Sequence, residues 1–141
     1  MSIPVSHFRR RLESFINERH PNLKNAKRLI ATRSVQAAQA FSSAVLAGDS
    51  ETAARTKADA LLFEGLLFSK YDTIRCIIAT EFPKIPPDSQ RTLSLELIES
   101  CNDIFSRYAL TDRLIREPAF NHMIVELTER IKTHIDRNDL G

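Results

Sequence analysis

Apolar positions along the chain recur at i, i+3, i+4 and i+7 almost from end to end, the spacing that paints one face of an α-helix. The densest stretch is Leu61–Phe82, LLFEGLLFSKYDTIRCIIATEF, broken once at Ser69-Lys70-Tyr71-Asp72. Two apolar runs around one polar break predict two buried helices meeting at a corner, with the core of the fold there. Upstream, Phe8, Leu12, Phe15 and Ile16 predict a first helix from an N-cap at Ser6 to Arg19, with Pro21 beyond its end. Leu23, Ala26, Leu29, Ile30, Ala37, Ala40, Phe41, Ala44 and Val45 predict a second from about Asn22 to Ala47, stopped by Gly48.

Ser50 is placed to cap a third helix carrying Ala54, Ala58, Leu61, Leu62, Gly65 and Leu66 on one face. A glycine inside a helix costs about 1 kcal/mol against alanine, so Gly65 reads as a site where a neighbouring helix packs closely. Ser69 and Asp72 stand in the S-x-x-D arrangement that satisfies orphan N–H groups, predicting a fourth helix over Tyr71–Glu81 that Pro83 ends. Gly65, Ser69, Tyr71 and Asp72 thus read together as a structural corner. After the rigid Lys84–Pro87 connector, Leu93, Leu97, Cys101, Ile104, Phe105 and Tyr108 predict one long fifth helix. Thr111–Arg116 reads as a short helical turn, and Pro118 opens a sixth helix with Phe120, Ile124, Leu127, Ile131 and Ile135 on its stripe. The last three residues are expected to fray.

With three glycines in 141 residues, the chain lacks the turn glycines of a sheet-rich fold. The reading is all-α: a single-domain multi-helical bundle of five to six helices over residues 1–141, around one core. A chain of this length buries roughly 68–70% of its unfolded surface, so neither metal nor disulfide is needed to hold it. No apolar run approaches the roughly 18 residues that span a bilayer, and MSIPVSHFRRRLES has no apolar segment behind its charges, which predicts a cytoplasmic protein with no membrane partner. Cys76 and Cys101 lie far apart among helix-period apolar residues and read as buried, reduced thiols.

The net charge of +2 conceals an asymmetry: residues 1–35 carry eight Lys/Arg against two acids, a net +6, and the rest of the chain is net −4. Arg10 with Lys24, Lys27 and Arg28 forms a candidate patch for nucleic acid or an acidic partner. Aromatic interleaving for single strands is missing from it, because Phe8 and Phe15 fall on the core stripe.

The stretches Glu64-Gly65-Leu66, Phe68-Ser69-Lys70-Tyr71-Asp72-Thr73-Ile74, Glu81-Phe82, Ile104-Phe105 with Tyr108 and Leu110, and Glu126-Leu127-Thr128 with Ile131 resemble a family of small bacterial proteins, a domain of unknown function. The resemblance spans nearly the whole chain and FSKYDT is its most specific part. It implies an all-helical fold and a place among the cargo genes of conjugative transposons. It assigns no catalytic residue.

Phosphate-cradling loops, nucleophile elbows and H-E-x-x-H are all missing from the sequence. His122 and Glu126 are four apart with His134 further along, too few convergent ligands for a metal, and Glu126 reads instead as an i,i+4 partner of Arg130. Ser69, Lys70, Tyr71 and Asp72 place four reactive groups in a row, but capping and burial account for them. The expectation is a non-enzymatic accessory module without cofactor or metal, docking a protein partner or a second copy of itself. The alternative is weak nucleic-acid binding through the basic N-terminal helices.

Overall fold

In a computed structural model describing residues 2–137, the elements are α1 (Val5–Arg19), α2 (Ala26–Leu46), α3 (Glu51–Leu62), α4 (Lys70–Glu81), α5 (Pro87–Ser100), α6 (Asn102–Phe105), a 3₁₀ turn (Leu114–Arg116) and α7 (Pro118–Arg137). All described regular structure is helical, in seven α-helices. The last three residues, where fraying is expected, lie outside the described residues. The chain divides into two compact units, Met1–Leu66 and Leu67–Gly141. Apolar side chains accordingly gather in two clusters rather than the one core expected.

The first unit is α1, α2 and α3, with α2 packed on both others. Its core holds Phe8, Leu12 and Ile16 from α1, Ala37, Phe41 and Ala44 from α2, and Ala54, Ala58 and Leu62 from α3. Four of these nine side chains are alanines, so the helices meet there through small residues. α1 starts one residue before Ser6: extended Pro4 (φ −67°, ψ 151°) supplies the carbonyl that accepts from His7 N, so Ser6 lies inside the helix. α2 begins four residues later than expected, because Asn25 takes a left-handed conformation (φ 61°) that asparagine tolerates. At its other end Gly48 (φ 98°) closes the helix: Gly48 N donates to Val45 O and Asp49 N to Ala44 O, the paired bonds of a Schellman cap. Ser50 Oγ then accepts from Ala53 N at 3.1 Å and starts α3.

α3 stops at Leu62, and this overturns the reading of Gly65 as a close helix contact. Gly65 lies in a turn closed by Leu66 N on Phe63 O, at φ 76°, and a Cβ built there would meet nothing within 4 Å. Backbone conformation, not packing, asks for glycine. The apolar block around it is divided: Leu62 and Leu66 join the first core, while Phe68, Ile74, Ile77 and Ile78 join the second.

The second unit begins with the expected cap, Ser69 Oγ accepting from Asp72 N at 3.0 Å, and Tyr71 is buried in the first turn of α4. α5 opens with Pro87 at its first position. The long fifth helix foreseen is broken: at Cys101 (φ −103°, ψ 1°) α5 ends, and the four residues of α6 follow as a separate helix. Ile104 and Phe105 still reach the core, since a tight turn preserves the local one-turn spacing that made the run look continuous. α7 buries Met123, Leu127, Ile131 and Ile135 completely, with Phe120 and Ile124 only at the edge of the cluster.

Candidate functional site

The residues of the FSKYDT run and of the later pattern prove to be joined to one another. Phe68 meets Phe105 edge-on at 6.2 Å between ring centres. Lys70 donates to Asn102 Oδ1 at 3.2 Å and holds its ammonium 5.5 Å from the centre of the Phe105 ring, so the start of α4 is tied to α6. Tyr108 donates to Glu126 Oε1, and Arg107 donates to Glu126 Oε2 at 2.5 Å, tying the chain after α6 to α7. Glu126 therefore pairs with Arg107 and Tyr108 and not, as expected, with Arg130. Arg130 instead makes a two-pronged bond to Asp103 at 2.8 and 2.9 Å and also donates to Ser100 O. The i,i+4 reading fails because partners brought in by the fold, 18 to 27 residues away, offer better geometry than a helix neighbour.

This network sets the local electrostatics. Hydrogen bonding to Arg130 pulls the Asp103 carboxyl down to about 2, and burial pushes the Cys101 thiol up to about 11. The phenol of Tyr108 is raised by its bond to Glu126. A protonated, buried thiol is a poor nucleophile, in keeping with a structural Cys101. Cys76 corrects the other half of the thiol reading: it is exposed on α4.

Of the four tempting groups at the corner, Ser69 is engaged in the cap, Tyr71 is buried and Lys70 is tied to α6. His122 is exposed on α7, and among the described residues no three His, Cys, Asp or Glu side chains converge.

In the first unit, Arg10, Lys24, Lys27 and Arg28 are all exposed. Lys24 lies in the turn before α2, and Lys27 and Arg28 in the first turn of that helix, which holds no acidic residue and no side-chain cap. Three cations there oppose the helix dipole and raise the local positive potential. Arg10 stands apart on α1, nine residues before Arg19 and hence ~13 Å along the axis. It lines a shallow hollow of ~440 Å³ with Arg11, Ser14, Phe15, Glu18 and Phe63. Phe15 is half-buried and packs against the edge of the first core rather than inside it. Its ring lies 4.8 Å from Phe63, with Arg19 over Phe15 and Arg11 over Phe63, and Arg11 is fixed by a two-pronged bond to Asp59. A guanidinium already lies over one face of each of the two rings, where a base would otherwise stack.

Sequence reasoning missed two features. Arg33 donates to Leu61 O at 2.9 Å and Glu64 O at 2.8 Å, satisfying carbonyls at the end of α3 from a residue 28 to 31 positions away. A groove of ~540 Å³ runs along the start of α5, with Ile85, Pro86 and Leu93 as its floor and Lys84, Asp88 and Glu96 at its rim. Only the Pro-Pro dipeptide hinted at it.

The model of the family described as a domain of unknown function (DUF1896) matches residues 3–140. The chain belongs to the DUF1896 family. This DUF1896 chain is also similar to a solved structure, the crystal structure of protein PG0816 from Porphyromonas gingivalis, at 34% identity and a TM-score of 0.86, covering 97% of this chain and 94% of the other. Among curated proteins none matches. The DUF1896 fold therefore comes with no assigned activity, and Phe68, Lys70, Phe105, Tyr108 and Glu126 act in this member as the joints between α4, α6 and α7.

Proposed function

We propose that this DUF1896 chain is a non-enzymatic accessory module of a mobile genetic element, working in the cytoplasm by docking a protein partner. The observation that carries the reading is the groove on α5. Ile85, Pro86 and Leu93 give it its apolar lining, Pro86 being exposed and the other two buried beneath it. Among the charged residues that line it, Asp88 and Glu96 stand against Lys84, Asp88 being paired with Arg91, in a unit whose sequence carries twelve acids against ten bases. An apolar floor with an acidic rim fits a short amphipathic segment that brings one apolar anchor and flanking cations. The resemblance to transposon cargo proteins supports the setting.

A photo-crosslinking residue at exposed Thr92 is expected to trap such a partner in the native host, and the same residue at Glu13 is not. The identified segment should then lose at least tenfold in affinity for Ser89→Trp, which fills the groove. Equal affinity for parent and variant would refute docking at this surface.

The second reading, nucleic-acid binding, is favoured by the uncapped cationic start of α2. Contacts through Arg10, Lys24, Lys27 and Arg28 to about four phosphates would give a log–log salt slope near −3.6, reduced by about one unit for each change to alanine. Titration of labelled duplex at about 50 mM salt separates the readings, since docking on an apolar floor tolerates added salt.

A further inference from the structure

From Ser34 to Gly48 the chain runs SVQAAQAFSSAVLAG, fifteen residues without Asp, Glu, Lys, Arg or His in a protein with 27% charged residues. Most of that stretch is the second half of α2, whose inner side (Ser34, Ala37, Phe41, Ala44) is buried against α1 and α3. On its outer side Val35, Gln39 and Leu46 are exposed and Ser42 is half-buried. Val35 keeps 43% of its surface and Leu46 keeps 88%, the highest among the large hydrophobic side chains left exposed. Surface helices usually turn charges outward, whereas interface cores are depleted of Lys, Glu and Asp.

Val35, Gln39, Ser42 and Leu46 are spaced 4, 3 and 4, so they form one straight seam about 16 Å long on the side opposite the buried one. The seam is symmetric about its midpoint. A large apolar residue stands at each end and a neutral hydrogen-bonding residue at each inner position. A two-fold axis through that midpoint sets Val35 against the partner's Leu46 and Gln39 against the partner's Ser42, twice over. The amide and hydroxyl both donate and accept, so the inner pairs are self-complementary. This reciprocity is the defining property of an isologous interface.

The charges choose the direction. Lys24, Lys27 and Arg28 lie at the start of α2, and a parallel pairing would set six cations side by side. An antiparallel pairing centred between Gln39 and Ser42 parts the two groups by about 40 Å, each lying beyond the end of the partner's α2. We infer that the Val35–Gln39–Ser42–Leu46 face of α2 is a self-association surface on which a second copy of this chain docks antiparallel about a two-fold axis. The surface lies in the first unit and does not depend on the α5 groove, so either assignment stands or falls alone.

Four side chains of one helix make a small contact, at the low end of interface sizes, and the expected dimer is reversible and micromolar. Sedimentation equilibrium of the full chain from about 1 to 500 µM reads it. Val35→Lys and Leu46→Glu, both at exposed positions, should each weaken association more than about tenfold while leaving the helical circular dichroism and unfolding midpoint unchanged. An equimolar mixture of the two variants should recover it, because one Val35 to Leu46 contact survives and the other becomes a Lys to Glu pair. Leu46→Gln, which adds no charge, should weaken the dimer in the same direction and guards against misfolding of the charged variants. A chain that stays monomeric throughout, a dimer indifferent to these changes, or a mixture no better than either variant alone would overturn the assignment.

Discussion

Substitution of Gly65 distinguishes backbone conformation from packing as the reason for a glycine. At φ 76° a residue with a Cβ sits in left-handed space, which costs about 1–2 kcal/mol. Replacing glycine also removes freedom from the unfolded chain, which returns about 0.4–1 kcal/mol. Gly65→Ala should therefore destabilise by roughly 1 kcal/mol, or about 3–6 °C in melting temperature for a chain of this size. Because a Cβ there meets nothing within 4 Å, Gly65→Leu should cost the same as Gly65→Ala, and Gly65→Asn less than both. Urea and thermal unfolding of the three variants, read by circular dichroism, check the order. A leucine variant more than about 1.5 kcal/mol below the alanine variant would mean that a neighbour crowds the site and would refute the conformational account.

Ser69→Ala removes the acceptor for Asp72 N and should cost about 0.5–2 kcal/mol in denaturant unfolding, with partner binding by the folded fraction unchanged. Asp103 has its carboxyl lowered to about 2 by Arg130, below its ordinary range near 4, so its contribution is complete above pH 4 and is lost as pH falls toward 2. Asp103→Asn should then show a smaller loss of stability between pH 4 and 2 than the parent, and an identical acid profile would contradict the pairing. Alkylation should label exposed Cys76 in the native protein and buried Cys101 only after denaturant is added, as counted by intact mass.

The amphipathic period, the caps at Ser50 and Ser69, the stop at Gly48 and the proline start of α7 were all legible in the sequence, because each depends on residues within about one helical turn. The same locality explains the misreadings. Gly65 and Cys101 both continue a helical apolar pattern while their backbones leave the helix, and a period cannot register one residue's change of dihedral angle. Phe15 lies on the apolar stripe of α1, yet how deeply it sinks depends on Phe63 of the turn after α3. Which partner holds Glu126, what Arg33 caps and where a groove opens on α5 depend on residues 18 or more positions apart in the first two cases, and on packing around Ile85 and Leu93 in the third. Sequence alone determined the helical class and most helix ends, since hydrogen bonding and burial within a turn decide them. Tertiary structure decided the division into two cores and the joints made by the FSKYDT residues, because side chains distant in sequence compete for the same partners only once the helices have packed.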